Sequence, residues 1–584
     1  MNVISFKEAK CKNCYKCVRT CEVKAITVTN SQAQIMNDKC ILCGLCLEAC
    51  PQNAKTFNSD LGKVKGYLRD NIPTIISMAP SYLGVLKYKT PGQVFTALLK
   101  LGFWKVFETA EGAAYVTKEY EKLLASGTMD NIITTCCPSV NDLIEIYYPT
   151  LTKYMAPVVS PMIAHGKILR KEYGKDVKIV FLGPCIAKKR EAEGDPRTLG
   201  YIDAVINFTE FEQWLKEEEI QIEDLEDTPP ENPDPKVNRL YPVSSGIISS
   251  VIASETPSKY RKFYVHGIEN CMELLDSMEK GEITGSFIEA NICTGGCIKG
   301  PVVNKEGLSR FKVKLDMEET IPKLPVDKEK FFEKGNNISF FKPFSSHSHN
   351  DPVPTEEEII HILQKIGKTK PEDELNCGAC GYSSCREKAI AVYQGKAELT
   401  MCIPYMHEKA QSMSNIVLET TPNIIILVDS EMKIIEFSGT AENYFHISKV
   451  KAKEKYLYEL IDHTDFENVL ATHEPIMGKK VEYPDLGITT LQTIVYVNEP
   501  NAVLGILQDI TKEEEQNKQA FKVKMDTIEM AQKVINKQML VAQQIAGLLG
   551  ETTAETKVTL TKLRDTILND GEEQVPNNSK PVLK

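Results

Sequence analysis

Two closely spaced runs of four cysteines near the start of the chain constrain its fold more than any other feature. Each run has the spacing C-x2-C-x2-C-x3-C, and Pro51 follows the second; the cysteines are Cys11, Cys14, Cys17, Cys21 and Cys40, Cys43, Cys46, Cys50. Thiolates at this spacing bind three corners of an iron-sulfur cube, while the fourth cysteine of each run binds the other cube. The runs therefore predict two 4Fe-4S clusters. A zinc site is the alternative, but its commoner pattern is two C-x2-4-C pairs separated by a longer gap.

Length and composition set the class of protein. A chain of 584 residues should divide into about three to five domains. Its 69 basic and 80 acidic residues give a formal charge of -11, so no basic surface for nucleic acid is expected. The N-terminal stretch does not have a signal peptide's apolar segment, and runs such as IIILV at 424–428 are too short to span a bilayer. We expect a cytoplasmic protein without membrane contact, and 18 cysteines in such a chain argue for metal binding over disulfides.

Residues 1–58 resemble a bacterial dicluster ferredoxin, except that Glu22 replaces the proline usual after the first run. The resemblance implies a small βαββαβ domain that conducts electrons.

A second cysteine group has the spacing C-x2-C-x4-C-x16-C and consists of Cys377, Cys380, Cys385 and Cys402. Gly378 and Gly381 free the backbone to wrap around a cluster, and the segment after Cys385 has a helical pattern. Residues 356–412 resemble the small helical 4Fe-4S domain of corrinoid iron-sulfur proteins and of some redox complexes. A zinc knuckle is the alternative.

Three further cysteine motifs occur in the middle of the chain: TTCCPSV at 134–140, GPCIAKKREAE at 183–193 and FIEANICTGGCIKGP at 287–301. Together with MAPSYL at 78–83, they resemble the signatures of the FeFe hydrogenase catalytic domain, which we place at 70–343. The resemblance implies that Cys137, Cys185, Cys293 and Cys297 hold the 4Fe-4S part of an H-cluster. Cys297 would also bridge to a two-iron subsite that carries CO, cyanide and a dithiolate.

The same resemblance assigns two residues around the two-iron subsite. Lys188 would donate a hydrogen bond to a cyanide ligand, and a charged donor makes such a bond stronger. Cys136 would be the proton-relay thiol, because a thiol pKa can be tuned toward working pH. The alternative for Cys136 is a buried, inert thiol. Cys271 is expected to be such a thiol on a helix.

Several positions depart from the family pattern. The family's usual apolar or proton-carrying residues are replaced by Val140, Ala156, Met162, Gly183 and Asn291. Glu119 and Glu121 are present in the helix before the first signature, but their register is open. Since alanine cannot carry a proton, these departures predict an interrupted proton path and slow turnover.

The last part of the chain has another character. Residues 413–512 resemble a PAS domain, a mixed α/β module with a five-stranded antiparallel sheet; its ligand is unknown, and His446 is expected at the surface. Residues 513–566 predict a helix with a coiled-coil seam at Phe521, Met525, Ile528, Gln532, Ile535, Met539, Ala542, Ala546 and Leu549. A single amphipathic helix packed on the PAS sheet is the alternative. Residues 567–584 are predicted to be disordered.

The sequence thus predicts a multidomain α/β and α+β protein with three 4Fe-4S clusters and an H-cluster. We expect a hydrogen-sensing FeFe hydrogenase of low turnover that signals to a regulatory kinase or phosphatase and forms a homodimer through its C-terminal helix. Hydrogen, protons and a redox partner such as ferredoxin would be its other partners. Two alternatives are a metabolic, ferredoxin-linked hydrogenase and a hydrogenase-like electron-transfer protein without the two-iron subsite.

Overall fold

The computed structural model describes residues 2–304, 306–307, 309–347, 351–546, 558–559 and 561–562, and the chain forms two compact units, Met1–Met406 and His407–Lys584. The predicted disordered tail at 567–584 and the end of the predicted coiled coil lie outside the described residues. Within the described ranges, no helix is both long and apolar enough to cross a membrane. The finer domain bounds stay predictions.

The N-terminal residues form the βαββαβ arrangement predicted for a dicluster ferredoxin. Its elements are β1 (Ile4–Phe6), α1 (Lys16–Thr20), β2 (Ile26–Thr29), β3 (Gln32–Ile35), α2 (Leu45–Ala49) and β4 (Lys55–Phe57). Strand β1 pairs with β4 and β2 with β3, both antiparallel. Gly44 precedes α2 with φ +81°, and a Cβ there would lie 2.4 Å from the Pro301 side chain. The second cysteine run is therefore pressed against the third motif of the middle domain.

Two parallel sheets organise the middle of the chain. The first has the strand order β6-β5-β8-β9 and the second β10-β11-β7. The strands are β5 (Thr74–Met78), β6 (Lys105–Glu108), β7 (Ile132–Ile133), β8 (Lys178–Gly183), β9 (Ala204–Asn207), β10 (Arg261–His266) and β11 (Ser286–Asn291). Strands β5 and β11 are buried at every position, which is typical of parallel strands covered on both faces.

Helices cover these sheets. They are α3 (Leu61–Arg69), α4 (Tyr82–Val85), α5 (Gly92–Lys100), α6 (Ala110–Ser126), α7 (Pro138–Tyr147), α8 (Pro161–Tyr173), α9 (Ala187–Glu193), α10 (Phe208–Glu217), α11 (Gly246–Ala253), α12 (Ile268–Glu279), α13 (Arg310–Thr320) and α14 (Lys328–Phe331). Cys271 is buried on α12, as predicted.

A small helical region follows and packs against the ferredoxin part. It contains α15 (Glu356–Lys365) and α16 (Cys385–Tyr393). Arg19 donates a hydrogen bond to the Ala379 carbonyl oxygen at 2.7 Å, and the Lys24 ammonium group donates one to that of Gly381 at 2.9 Å. A Cβ on Gly381, at φ +99°, would lie 2.7 Å from the Val18 side chain, so the two cluster-binding regions are in close contact.

The second unit has the five-stranded antiparallel sheet predicted for a PAS domain, with order β13-β12-β16-β15-β14. Helix α17 (Ile403–Thr420) leads into this unit, whose other elements are β12 (Ile424–Val428), β13 (Ile434–Phe437), α18 (Gly439–Phe445), α19 (Lys449–Ala452), α20 (Thr464–Thr472), β14 (Ile476–Tyr483), β15 (Ile488–Val497), β16 (Ala502–Asp509) and α21 (Thr511–Ala546). His446 is exposed, as expected.

Helix α21 contacts the sheet at its start, where the Thr511 hydroxyl accepts a hydrogen bond from the Thr489 amide. Further along, apolar side chains such as Phe521, Val534 and Ile545 are exposed, so the alternative of a helix packed along the PAS sheet is wrong for this stretch. Seam positions from Ile528 to Ala542 are half-buried, whereas most of their neighbours on the helix are exposed. The coiled coil stays a prediction.

Candidate metal centre

The ends of both parallel sheets converge on one pocket. Strands β5, β6, β7, β8 and β11 all end at its rim, where ligands commonly bind in parallel α/β folds. Its lining includes Ala79, Pro80, Thr109, Cys136, Cys137, Phe181, Cys185, Lys188, Asn291, Cys293, Cys297 and, from the ferredoxin part, Cys43. The three middle motifs, far apart in sequence, are thus brought together.

Local backbone structure positions each thiol. Cys137 is the N-cap residue of α7, and Pro138 begins that helix at the position where a missing N–H costs nothing. Cys185 lies between β8 and α9. Between Cys293 and Cys297 the chain turns through Gly295 and Gly296, at φ +93° and +91°, values that favour glycine.

The four thiols fit an iron-sulfur group. Burial raises the pKa of Cys185 to about 11 and that of Cys297 further, so neither would ionise at neutral pH without a metal. Among the residues described, no three histidine, cysteine or carboxylate side chains surround a point where a single ion would bind. The four thiols interact electrostatically with one another, so they lie close together at one side of the pocket.

Lys188 reaches the pocket from α9. Its ammonium group donates hydrogen bonds to Glu191 Oε2 at 2.7 Å and to the Cys136 carbonyl oxygen at 3.1 Å. Burial lowers the pKa of Lys188, but the Glu191 carboxylate, together with the thiols of Cys185 and Cys136, raises the pKa above its ordinary value. Glu191 also accepts a hydrogen bond from the Ser160 hydroxyl at 2.9 Å and lies 3.9 Å from the Lys342 ammonium group. A charged donor is therefore held ready at the pocket wall.

Cys136 contacts the hydroxyl group of a buried tyrosine. Its sulfur lies 3.2 Å from the hydroxyl of Tyr120, which also accepts a hydrogen bond from the Thr135 amide at 3.0 Å. Burial raises the pKa of Cys136 to about 12, and the Tyr120 hydroxyl and Lys188 act in the opposite direction. Glu119 and Glu121 pair with Lys122 and Lys328 instead, at 2.6 and 3.1 Å.

Three positions that depart from the family pattern make defined contacts in the structure. The sequence predicted that an apolar group is missing at Gly183, but a Cβ there would lie 2.5 Å from the Phe181 ring, which itself lines the pocket. Asn291 is buried and donates a hydrogen bond to Glu289 at 3.3 Å. Ala156 contributes its carbonyl oxygen, which accepts a hydrogen bond from the Thr135 hydroxyl at 3.0 Å.

The ferredoxin cysteines group across the two runs. Cys21, the last of the first run, interacts electrostatically with Cys40, Cys43 and Cys46 of the second. The Lys55 ammonium group contacts the Cys17 sulfur at 3.3 Å and also acts on Cys50. The grouping of Cys21 with the second run is consistent with the exchange of fourth cysteines that the spacing predicts, and the ligand roles stay predictions.

The C-terminal group also comes together. Cys377, Cys380, Cys385 and Cys402 line one small cavity, with the buried Lys388 beside them. Burial lowers the pKa of Lys388, and thiolates at Cys402, Cys380 and Cys385 act in the opposite direction.

Three residues that hydrogen-bond to the pocket lining were not predicted from the sequence: Tyr120, Glu191 and Glu289. Glu191 follows Lys188 by three residues, so helical spacing alone could have paired them. Glu289 accepts hydrogen bonds from the backbone amides of Ser245 and Ile248, and burial raises its pKa to about 7. No sequence signal identified Tyr120 or Glu289.

Comparison with protein families agrees with this geometry. The model described as the C-terminal domain of the iron-only hydrogenase large subunit matches residues 72–301. A 4Fe-4S dicluster domain model matches residues 10–57, and an Fe-S cluster model matches residues 373–404. The predictions of several iron-sulfur clusters and of an H-cluster domain are thereby confirmed; the number of clusters stays a prediction.

Individual relatives are distant. Iron hydrogenase 1 of Clostridium pasteurianum is 26% identical, over 56% of this chain and 75% of that protein. The NADP-reducing hydrogenase subunit HndD of Solidesulfovibrio fructosivorans is 25% identical, over 50% of this chain and 63% of its own length. The chain thus spans three quarters of the first relative and less than two thirds of the second.

Among solved structures, the FeFe-hydrogenase HydA1 of Chlamydomonas reinhardtii aligns with 50% of this chain and 100% of its own, at 17% identity and a TM-score of 0.42. The family matches place three kinds of iron-sulfur domain on one chain, and the pocket lining except Leu42 and Cys43 falls within the longest match. This chain is an FeFe-hydrogenase-like iron-sulfur protein, whose residues 72–301 match the C-terminal domain of the iron-only hydrogenase large subunit.

Proposed function

We propose that the protein senses hydrogen with an H-cluster of low turnover and transmits the redox state of its clusters to a regulatory partner. The observation that carries the proposal is the pocket, where four cysteines, the free thiol of Cys136 and the ammonium group of Lys188 meet. When bound, the H-cluster supplies the iron at which hydrogen is converted into protons and electrons. Cys137, Cys185, Cys293 and Cys297 would hold it.

The protein's own residues handle the proton and the charge. Cys136 would give and take the proton at its sulfur, with the Tyr120 hydroxyl as hydrogen-bond partner at 3.2 Å. Lys188, oriented by Glu191, would stabilise negative ligands in the pocket. The apolar lining from Ala79, Pro80 and Phe181 would exclude water.

Electrons would leave through the ferredoxin part. Cys43 lines the pocket, and the Ser139 hydroxyl on α7 donates a hydrogen bond to the Leu42 carbonyl oxygen at 3.3 Å. On the other side, the region around Gly381 packs against α1. Cluster-binding regions in direct contact therefore extend from the pocket to the C-terminal cysteine group.

Slow chemistry follows from the surroundings of Cys136. Glu119 and Glu121 pair with lysines and do not contact Cys136. The contact of Cys136 is Tyr120, whose pKa is raised well above its ordinary value by burial. A group that holds its proton so firmly is a poor relay at neutral pH. A sensor tolerates this, because its redox state equilibrates with hydrogen without high flux.

The signalling half of the proposal uses the PAS-like unit and α21. The C-terminal cysteine group directly precedes this unit in sequence, so a change in cluster charge arises next to it along the chain. A kinase or phosphatase would be the partner, a homodimer through α21 the signalling form, and the cytoplasm the location. All three stay predictions.

Two measurements test the proposal. Infrared spectra of protein expressed with the maturation machinery should show iron-bound CO and cyanide, and spin-label distances between paired α21 helices should differ under hydrogen and argon. Bands without any distance change, together with rapid turnover, would favour the second candidate, a metabolic hydrogenase that exchanges electrons with ferredoxin. The continuous cluster regions, suited to such exchange, support that candidate. Spectra without the bands would indicate an electron-transfer protein that does not contain the two-iron subsite.

A further inference from the structure

A buried polar chain leads away from the pocket on the side of Thr109. The Thr109 hydroxyl lies 2.7 Å from the hydroxyl of Ser77, and that hydroxyl lies 2.8 Å from Nδ1 of His165. Nε2 of His165 lies 3.5 Å from a carboxylate oxygen of Glu111. All four residues are at most 3% exposed, and only Thr109 lines the pocket. None belongs to the cysteine motifs or to the contacts of Cys136.

The fold brings these groups together. Ser77 lies on β5, Thr109 follows β6, Glu111 is in the first turn of α6, and His165 is on α8. Helices α6 and α8 approach closely at Gly112, where a Cβ would lie 2.8 Å from the His165 backbone nitrogen. The two side chains are therefore held in place by packing of backbone against backbone.

Glu111 and His165 place a buried carboxylate beside a buried imidazole. Neither oxygen of Glu111 nor Nε2 of His165 has a hydrogen-bond partner among the described residues. Tyr115 on α6 and Tyr173 on α8 also interact with Glu111, and an anionic carboxylate raises their pKa values further. A buried carboxylate without a hydrogen bond or a cation is costly, whereas a proton shared with His165 makes the pair neutral overall. Shortening the 3.5 Å separation by a few tenths of an ångström gives a normal hydrogen bond.

We propose that Glu111 and His165 form a buried proton store that exchanges one proton with the pocket through the hydroxyls of Ser77 and Thr109. A proton that arrives at Thr109 displaces the hydroxyl proton to Ser77, and Ser77 passes its own to Nδ1 of His165. The proton on Nε2 then moves to Glu111. Each hydroxyl ends with the proton count it began with, no electron moves, and the reverse sequence returns the proton. The store rests on the proposed function, because hydrogen chemistry is what delivers protons to the pocket.

Infrared difference spectra of the full-length protein, hydrogen minus argon, test the exchange. In the parent we expect a protonated-carboxyl band that shifts in heavy water and is lost in Glu111→Gln. Thr109→Val should remove this band from the difference spectrum, and Thr109→Ser should restore it. Thr117→Val, the same substitution at a buried hydroxyl outside the chain, is the matched control and should leave the band unchanged. Persistence of the band in Thr109→Val or in Glu111→Gln would overturn the proposal.

The same spectra separate this proposal from the proposed function. Iron-bound CO and cyanide bands report the H-cluster independently of any carboxyl band. If those bands are absent from the parent, the proposed function fails, and the nitrogen resonances of His165 in labelled protein then decide whether the pair shares a proton. Resonances that shift in Glu111→Gln would support the store, and resonances identical to the parent's would overturn it.

Discussion

The buried ion pair beside the pocket makes a quantitative prediction. Lys188 and Glu191 lie one helical turn apart on α9, and both side chains are buried. Glu191→Gln preserves the shape of the side chain and an acceptor for Ser160, but it removes the charge that balances Lys188. Glu193→Gln is the matched control, because Glu193 lies on the same helix, is partly exposed and pairs with Lys63 at 3.1 Å. Glu193 also lies 3.5 Å from the buried Lys189, but Lys189 keeps Asp60 as its partner in this variant.

The burial of each ion pair determines how much stability its loss costs. Removing one partner of a buried ion pair costs about 3–5 kcal/mol, and the lower end applies here since glutamine keeps an oxygen for Lys188. Losing a surface pair costs about 0–1 kcal/mol. At about 1.4 kcal/mol for each factor of ten, opening of α9 should become about 100-fold more frequent in Glu191→Gln and at most about fivefold in Glu193→Gln.

Native-state hydrogen exchange of the α9 amides, followed by mass spectrometry, measures this opening. A lysine whose folded-state pKa is raised contributes its stability below its ordinary pKa and loses it only as pH rises through the raised value. The difference between parent and Glu191→Gln should therefore be constant from neutral pH to about pH 10. Equal acceleration in the two variants would show that burial of the pair does not stabilise α9.

Two further predictions concern the cysteines. Cys136→Ala should nearly abolish hydrogen turnover with unchanged iron content, whereas Cys137→Ala should lose iron; turnover equal to the parent's in Cys136→Ala would identify an inert buried thiol. Metal analysis of the purified protein should find iron bound by the C-terminal group, and Cys385→Ser should remove the iron of one cluster. Zinc bound there would refute a cluster at that site.

Much of the metal-binding architecture could be predicted from sequence because the cysteines of each group are close together in the chain. The dicluster runs determine which thiols can reach a cube, and the βαββαβ fold follows from short segments between them. The five-stranded sheet of the second unit was predicted from the resemblance to PAS domains. Its β12–β13 hairpin is local, whereas the pairing of β12 with β16 joins segments far apart in sequence. The middle motifs were recognisable one by one, but their convergence depends on strand order in two parallel sheets, which spacing alone does not give.

The residues that escaped prediction are those whose roles depend on packing between distant segments. Whether Glu119, Tyr120 or Glu121 faces Cys136 is decided by how α6 rotates against the sheets, and the buried face of α6 includes Tyr120. The gap expected at Gly183 disappears because the Phe181 ring occupies that space, and a residue-by-residue comparison with a family motif does not detect such an exchange.

Glu111 and His165 show the same principle most clearly, since they are separated by more than fifty residues and have meaning only as a pair. Considered alone, each is an ordinary helix residue whose sequence context indicates no special role. A buried carboxylate without a hydrogen bond is costly, so the burial of Glu111 points to His165 as its partner. The hydroxyls of Ser77 and Thr109 then connect that pair to the pocket. The proposed proton store therefore depends on which polar groups the fold buries together, as the proposed metal centre depends on the cysteine motifs.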